Sequence, residues 1–171
     1  TILVPAIAAG KPLRAVIRGG THNPLAPPFE FLDRVYLPHM RAMGADVEWR
    51  PGLRIAARGG KKLRGGRHRI NADEVEVSSF ATLAAATRSE MALENIDPEY
   101  LDAVCLQLAK MGVLFDIDGT ALIVRKPEQT YRSFRVQSGL YPKLGSDHLP
   151  PFAVLATQAE GTSLIHDWLY E

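Results

Sequence analysis

Met-Gly occurs at Met43-Gly44 and again at Met111-Gly112, sixty-eight positions later, and the surroundings of the two pairs match. Leu32-Asp33-Arg34-Val35 leads to the first pair, then to Ala45-Asp46-Val47-Glu48 and Leu53-Arg54-Ile55-Ala56. Leu101-Asp102-Ala103-Val104 leads to the second, then to Val113-Leu114-Phe115-Asp116 and Ala121-Leu122-Ile123-Val124. Each reads as a helix stopped by a glycine in the left-handed region, then two strands joined by a turn. Pro51-Gly52 supplies that turn in one copy and Asp118-Gly119 in the other. A second pattern recurs three times, an Ala-rich apolar helix followed by a short alternating strand. It begins at Ile2, at Phe80 and at Phe152, with strands at Leu13–Ile17, Met91–Ile96 and Ser163–His166.

Repetition at a fixed period dictates architecture before any other signal. The unit is β-α-β-α-β-β, and its copies divide the chain into 1–62, 63–128 and 129–171. Copy one lacks its opening strand, copy two is whole from about residue 67 to 125, and copy three stops after its second strand. The helices are apolar all round, which places them inside and the sheets outside. The expectation is an α+β fold in a single domain over 1–171, with about two and a half repeats. A non-integral count also reads as a piece of something longer.

Composition narrows the function. Twenty Lys+Arg against nineteen Asp+Glu leave a net charge of +1, so no global field steers the chain toward nucleic acid or membrane. One cysteine, Cys105, excludes an internal disulfide framework and a cysteine-based zinc site. It falls between Val104 and Leu106, where a thiol serves as a small buried hydrophobe. No His-Glu-x-x-His spacing occurs, and neither metal nor cofactor is expected. The apolar N-terminus has no cationic region before it, and no run reaches the roughly 20 apolar residues of a membrane span. These features favour a cytoplasmic location.

From Ser146-Asp147-His148-Leu149-Pro150-Pro151-Phe152 through Ala159-Glu160-Gly161-Thr162-Ser163, the chain resembles the enolpyruvyl transferases of cell-wall synthesis, the UDP-N-acetylglucosamine 1-carboxyvinyltransferases. Their Tyr-Pro-x-x-x-x-Asp stretch stands here as Tyr141-Pro142-Lys143-Leu144-Gly145-Ser146-Asp147. The resemblance extends back through Ile96–Val104 and His68-Arg69-Ile70, covering about 63–171. It implies UDP-N-acetylglucosamine and phosphoenolpyruvate as substrates. It also implies that Asp147 lies at the sugar nucleotide and takes part in proton transfer from the attacking hydroxyl, and that the backbone of Leu169 touches the uridine nucleotide. The same Asp147, just before a helix, has an alternative use as a plain N-cap. Leu169 has one as a strand-end core residue.

Residues 1–50 resemble RNA 3′-terminal phosphate cyclases through Gly19-Gly20-Thr21 and Ala26-Pro27-Pro28, followed by the helix that ends in Met-Gly. Both families share inward-facing helices in repeats about a pseudo-threefold axis, which the resemblance implies here. A change of family within one chain suggests a chimera joined near Arg58–Gly66. Parts required by either enzyme are missing: the mobile cysteine loop and the Lys/Arg set for phosphoenolpyruvate, and a nucleophilic histidine. His22, His39, His148 and His166 match no such motif. A fragment or chimera that is catalytically incomplete is therefore expected, with an active transferase as the alternative. RNA-end binding is a weaker reading. It would use Arg58, Lys61, Lys62, Arg64, Arg67 and Arg69 against phosphates, but with no interleaved aromatics the stretch reads first as a solvated connector. Incomplete repeats leave open faces and edges, which predicts a homodimer or swapped assembly.

Overall fold

The computed structural model describes residues 5, 7, 9, 32–50, 54–59, 62–139 and 143–169. Most of the expected first helix, the Leu13–Ile17 strand, the Gly19-Gly20-Thr21 motif, the Pro51-Gly52 turn and Lys61 lie outside these residues. Contacts among its residues cluster into two compact units, Thr1–Ile70 and Asn71–Glu171.

In the first unit a π-helical turn, Leu32–Tyr36, runs into helix α1, Leu37–Ala42. The helix stops because Gly44 adopts φ +93°, and the Ala45 N–H then donates to the Met40 carbonyl at 2.9 Å. Strand β1 (Asp46–Arg50) follows and pairs antiparallel with β2 (Arg54–Arg58), Asp46 opposite Arg58. Leu37, Met40, Ala45, Val47 and Ile7 form a small core against Tyr36, Ala57 and Leu63. The opening strand that a whole copy two would need from about residue 67 does not form: residues 62–70 carry no regular structure, and Ile70 is 86% exposed. This corrects the reading of copy two as whole. One apolar residue at the end of a Gly/Lys/Arg run offers neither an alternating face nor a paired ladder, and an unpaired strand is not stable in water.

In the second unit Asp73 caps helix α2 (Glu74–Ala86), its Oδ1 accepting from the N–H of Val75 at 2.8 Å and of Glu76 at 3.3 Å. Strand β3 (Met91–Glu94), a 3₁₀ turn (Pro98–Tyr100) and helix α3 (Asp102–Met111) follow. Gly112, at φ +82°, ends α3 in the left-handed cap. Strands β4 (Phe115–Asp118) and β5 (Ala121–Val124) form a hairpin whose two loop residues, Gly119 and Thr120, directly follow Asp118. The sheet is antiparallel in the order β3-β5-β4, which places Leu122 opposite both Leu93 and Ile117. Central position explains why Leu122 and Val124 are fully buried.

The remainder is a β-α-β unit. Strands β6 (Tyr131–Arg132) and β7 (Arg135–Gln137) lead through a 3₁₀ turn (Ser146–His148) into helix α4 (Leu149–Ala156). Strands β8 (Ala159–Glu160) and β9 (Leu164–His166) return parallel to β6 and β7, as a crossover through a helix requires. Helices α2 and α4 pack together. The buried Tyr131 hydroxyl donates to the Ala85 carbonyl at 2.8 Å, tying β6 to the end of α2. The helices do not bury on every side: Phe80 and Leu83 of α2, Leu106 of α3 and Val154 of α4 are about half exposed or more.

Two substitutions separate core from cap. Leu122→Ala is expected to lower unfolding free energy by about 2–5 kcal/mol, and Asp73→Ala by about 1 kcal/mol. Urea denaturation checks both, and equal losses would contradict the burial and capping described.

Candidate functional site

The site is built where β7 and β9 end beside the turn that starts α4. The Ser138 N–H donates to the His166 carbonyl at 2.9 Å, extending the β7–β9 ladder by one rung. The Gly139 N–H donates to the Leu144 carbonyl at 2.9 Å and closes the base of a loop. Residues 140–142 of that loop, including the expected Tyr141-Pro142, lie outside the described residues. A Cβ at Gly139 would collide with the Lys143 side chain, so a glycine is needed for the close approach.

Beyond the loop, Ser146–His148 form the 3₁₀ turn, closed by the His148 N–H on the Gly145 carbonyl at 3.2 Å. Asp147 is exposed in the middle of it. Neither the turn nor α4 receives a side-chain cap bond, so the alternative reading of Asp147 as a helix cap is not realised. Its carboxylate is engaged by no hydrogen-bond donor among the described residues.

Its two neighbours are fixed. His148 is buried, with Nδ1 2.8 Å from the buried Ser78 Oγ on α2. The Ser78 hydroxyl gives its only proton to the Val75 carbonyl at 2.9 Å. Ser78 therefore accepts from Nδ1–H, which fixes the neutral tautomer. Burial pushes the His148 pKa below the usual histidine value, with Asp147 and Asp73 opposing the shift. On the other side, Ser146 Oγ donates to Asp167 Oδ1 at 2.9 Å. The same oxygen accepts from Ser138 Oγ at 2.6 Å and from the Leu169 N–H at 3.2 Å. These hydroxyls, Ser138 first, hold the Asp167 carboxyl below the usual carboxylate range. Leu169 is half-buried, and the bond from its N–H to Asp167 links it to the turn that bears Asp147.

The sequence pointed to Asp147 and Leu169 and missed what holds them. Asp167-x-Leu169 has the spacing of an Asx turn, the one local signal available. Ser138 and Ser78 carry none, because they meet their partners across 29 and 70 residues.

Cys105 is half-buried and its thiol is pushed up to about 11 by burial and Asp102, so it is no thiolate near neutral pH. Arg58 pairs with Asp46 at 3.9 Å on the surface of the first unit. Lys62, Arg64, Arg67 and Arg69 are exposed along the irregular 62–70 segment. Among the described residues no group of three or more His, Cys, Asp or Glu could hold a metal ion. A cavity of about 340 Å³ between α2 and β3 is lined by Asp73, Glu76 and Glu94, the wrong sign for a phosphorylated ligand.

An antiparallel sheet and a β-α-β crossover, with an unengaged carboxylate at the start of the crossover helix, define a mixed α/β protein with its candidate site at a strand-end turn. Residues 34–169 match the EPSP synthase (3-phosphoshikimate 1-carboxyvinyltransferase) family, and the chain belongs to it. It is 34% identical over 131 residues to the UDP-N-acetylglucosamine 1-carboxyvinyltransferase of Deinococcus deserti and 35% identical to that of Deinococcus radiodurans. Each alignment covers 77% of this chain and 31% of the relative, so the chain spans about a third of the length of the curated relatives it matches. Among solved structures, EPSP synthase of Acinetobacter baumannii aligns at a TM-score of 0.54 with 28% identity, over 74% of this chain and 30% of that one. The enolpyruvyl transferase NikO of Streptomyces tendae shares the fold at a TM-score of 0.60 with 22% identity, over 75% and 31%. The family match begins at residue 34 and runs through Arg58–Gly66, where a change of resemblance was expected. No helix among the described residues is long and apolar enough to cross a membrane.

The buried His148 has a testable sign. Its pKa is lowered on folding, so above the unfolded value of about 6.5 its full stabilisation is present, and it is lost as pH falls from there through the folded value. Thermal unfolding midpoints should drop as pH falls from about 7 toward 5. His148→Gln, which cannot titrate, should be less stable at pH 7 and show a flatter profile. A profile as steep as the wild type's would refute the assignment.

Proposed function

We propose that this chain is part of a UDP-N-acetylglucosamine 1-carboxyvinyltransferase-type domain, binding the sugar nucleotide at the Asp147 turn and catalytically incomplete by itself. The observation that carries this reading is a carboxylate that accepts no hydrogen bond among the described residues, on a turn whose flanking residues, Ser146 and His148, are both fixed by hydrogen bonds. A carboxylate spared from capping is available as a base. In carboxyvinyl transfer the sugar hydroxyl bonds to the central carbon of phosphoenolpyruvate while Asp147 takes the hydroxyl proton. A proton adds to the terminal carbon; its later loss, with departure of phosphate, restores the double bond. The Leu169 backbone contacts the uridine nucleotide in this reading.

Incompleteness is supported by what the described residues offer. Cys105 is a half-buried thiol whose pKa is pushed up to about 11, so it offers no thiolate near neutral pH. We also infer that the chain is built from β-α-β-α-β-β repeats, a reading supported by the left-handed glycines Gly44 and Gly112 that end equivalent helices. A cytoplasmic location is consistent with a cell-wall precursor enzyme. No observation on the described residues favours RNA, so that reading is not carried forward.

Calorimetric titration with UDP-N-acetylglucosamine should show binding that weakens roughly tenfold in Asp147→Asn, in line with loss of a charged hydrogen-bond acceptor. Phosphate release from phosphoenolpyruvate plus UDP-N-acetylglucosamine should be absent. Release that disappears in Asp147→Asn would instead identify a complete enzyme, and absence of binding would refute the reading. Exposed Phe80, Leu83, Leu106 and Val154 support self-association. A mass above 18.8 kDa in light scattering is expected; a monomeric mass at all concentrations would contradict it.

A further inference from the structure

Asp167 has no role in the reading above, yet three segments meet on one of its oxygens. Oδ1 accepts from Ser138 at the end of β7, from Ser146 in the turn before α4, and from the N–H of Leu169. The first bond, at 2.6 Å, has the short O–H···O⁻ length of a charge-assisted hydrogen bond. Ser138 is fully buried, and its Oγ also accepts from the Trp168 N–H at 3.2 Å, so the 167–168 segment is anchored from both directions. From that anchor the carboxylate reaches the residue immediately before Asp147. The residue immediately after Asp147 is fixed to α2 through Ser78. Asp147 thus lies between two restrained neighbours, and its own carboxylate stays unengaged.

We propose that Asp167 is a positioning residue for the Asp147 site, a clasp that sets the Asp147 turn and the Leu169 backbone in one fixed arrangement. A carboxylate suits the task because it only accepts and its negative charge strengthens each bond it takes. Two hydroxyls and a backbone N–H can therefore converge on it without competing donors. Precise placement of a reacting group depends on such supporting contacts. The inference rests on the reading of Asp147 and Leu169 as sugar-nucleotide contacts. Its geometric half, that the two move together when the clasp is cut, is independent of any ligand.

The test uses the full chain labelled with ¹⁵N. In the wild type, the amides of Asp147 and Leu169 should have order parameters near 0.85; in Asp167→Ala both should fall toward 0.6 or below. Ser146→Ala cuts one arm only, so Asp147 should loosen while Leu169 stays ordered. Ser146→Thr keeps the hydroxyl and should restore wild-type order at Asp147, a rescue that general destabilisation would not give. Asp167→Asn keeps the shape without the charge and serves if the alanine variant fails to fold; both amides should loosen partially. Unchanged order at either amide in a folded Asp167 variant would overturn the proposal. In parallel, UDP-N-acetylglucosamine binding should weaken roughly tenfold in Asp167→Ala. If the wild type binds and the variant binds equally well, the positioning role is refuted. If the wild type does not bind, the sugar-nucleotide reading fails, and the relaxation data still judge the clasp.

Discussion

The smallness of one helix face governs the second unit. Ala81, Ala84 and Ala85 of α2 have no exposed surface, and side chains no larger than a methyl allow neighbours to approach the helix closely. Tyr131 reaches the Ala85 carbonyl, α4 packs along the helix, and His148 lies close enough to bond Ser78. A larger residue at any of these three positions would push away an element that fixes the site, because packed interiors have little spare volume. The Ala-rich composition therefore serves tertiary packing as much as helix propensity.

From this follows the division of labour around Asp147. Charged side chains at helix starts ordinarily cap, and Asp73 does so at α2. At α4 the geometry differs: the helix grows out of a 3₁₀ turn, Pro150 removes one N–H that would want a cap, and Gly145 precedes the turn. With the cap unneeded, the restraint comes from neutral donors and a second carboxylate. Two acids in one site thus serve in different ways, one satisfied by three donors and one left unengaged.

Local features were legible in the sequence. The Met-Gly helix ends, the Asp118-Gly119 hairpin and the helix-then-strand order over 74–94 and 149–166 depend on residues near one another in the chain. Opposite outcomes mark the limit. Copy two reads as whole from about residue 67, yet residues 62–73 carry no regular structure. The apolar helices pointed to burial on every side, yet Phe80 and Val154 remain exposed. Asp147 was visible through its motif; the Ser138, Ser146 and Leu169 bonds to Asp167 were not, because hydroxyl-to-carboxylate bonds across 29 and 21 residues leave no periodic trace.

The strands that frame the site are the shortest in the second unit. Strands β6 and β8 pair over two residues and β7 and β9 over three, all parallel, against four-residue antiparallel pairs in the other sheet. Parallel pairs are slightly weaker per residue, and short ones add few bonds to a cooperative unit. The restraint on the end of the molecule that carries Asp147 therefore rests less on strand ladders than on α4 packed against α2 and on the bonds of Tyr131, His148 and Asp167.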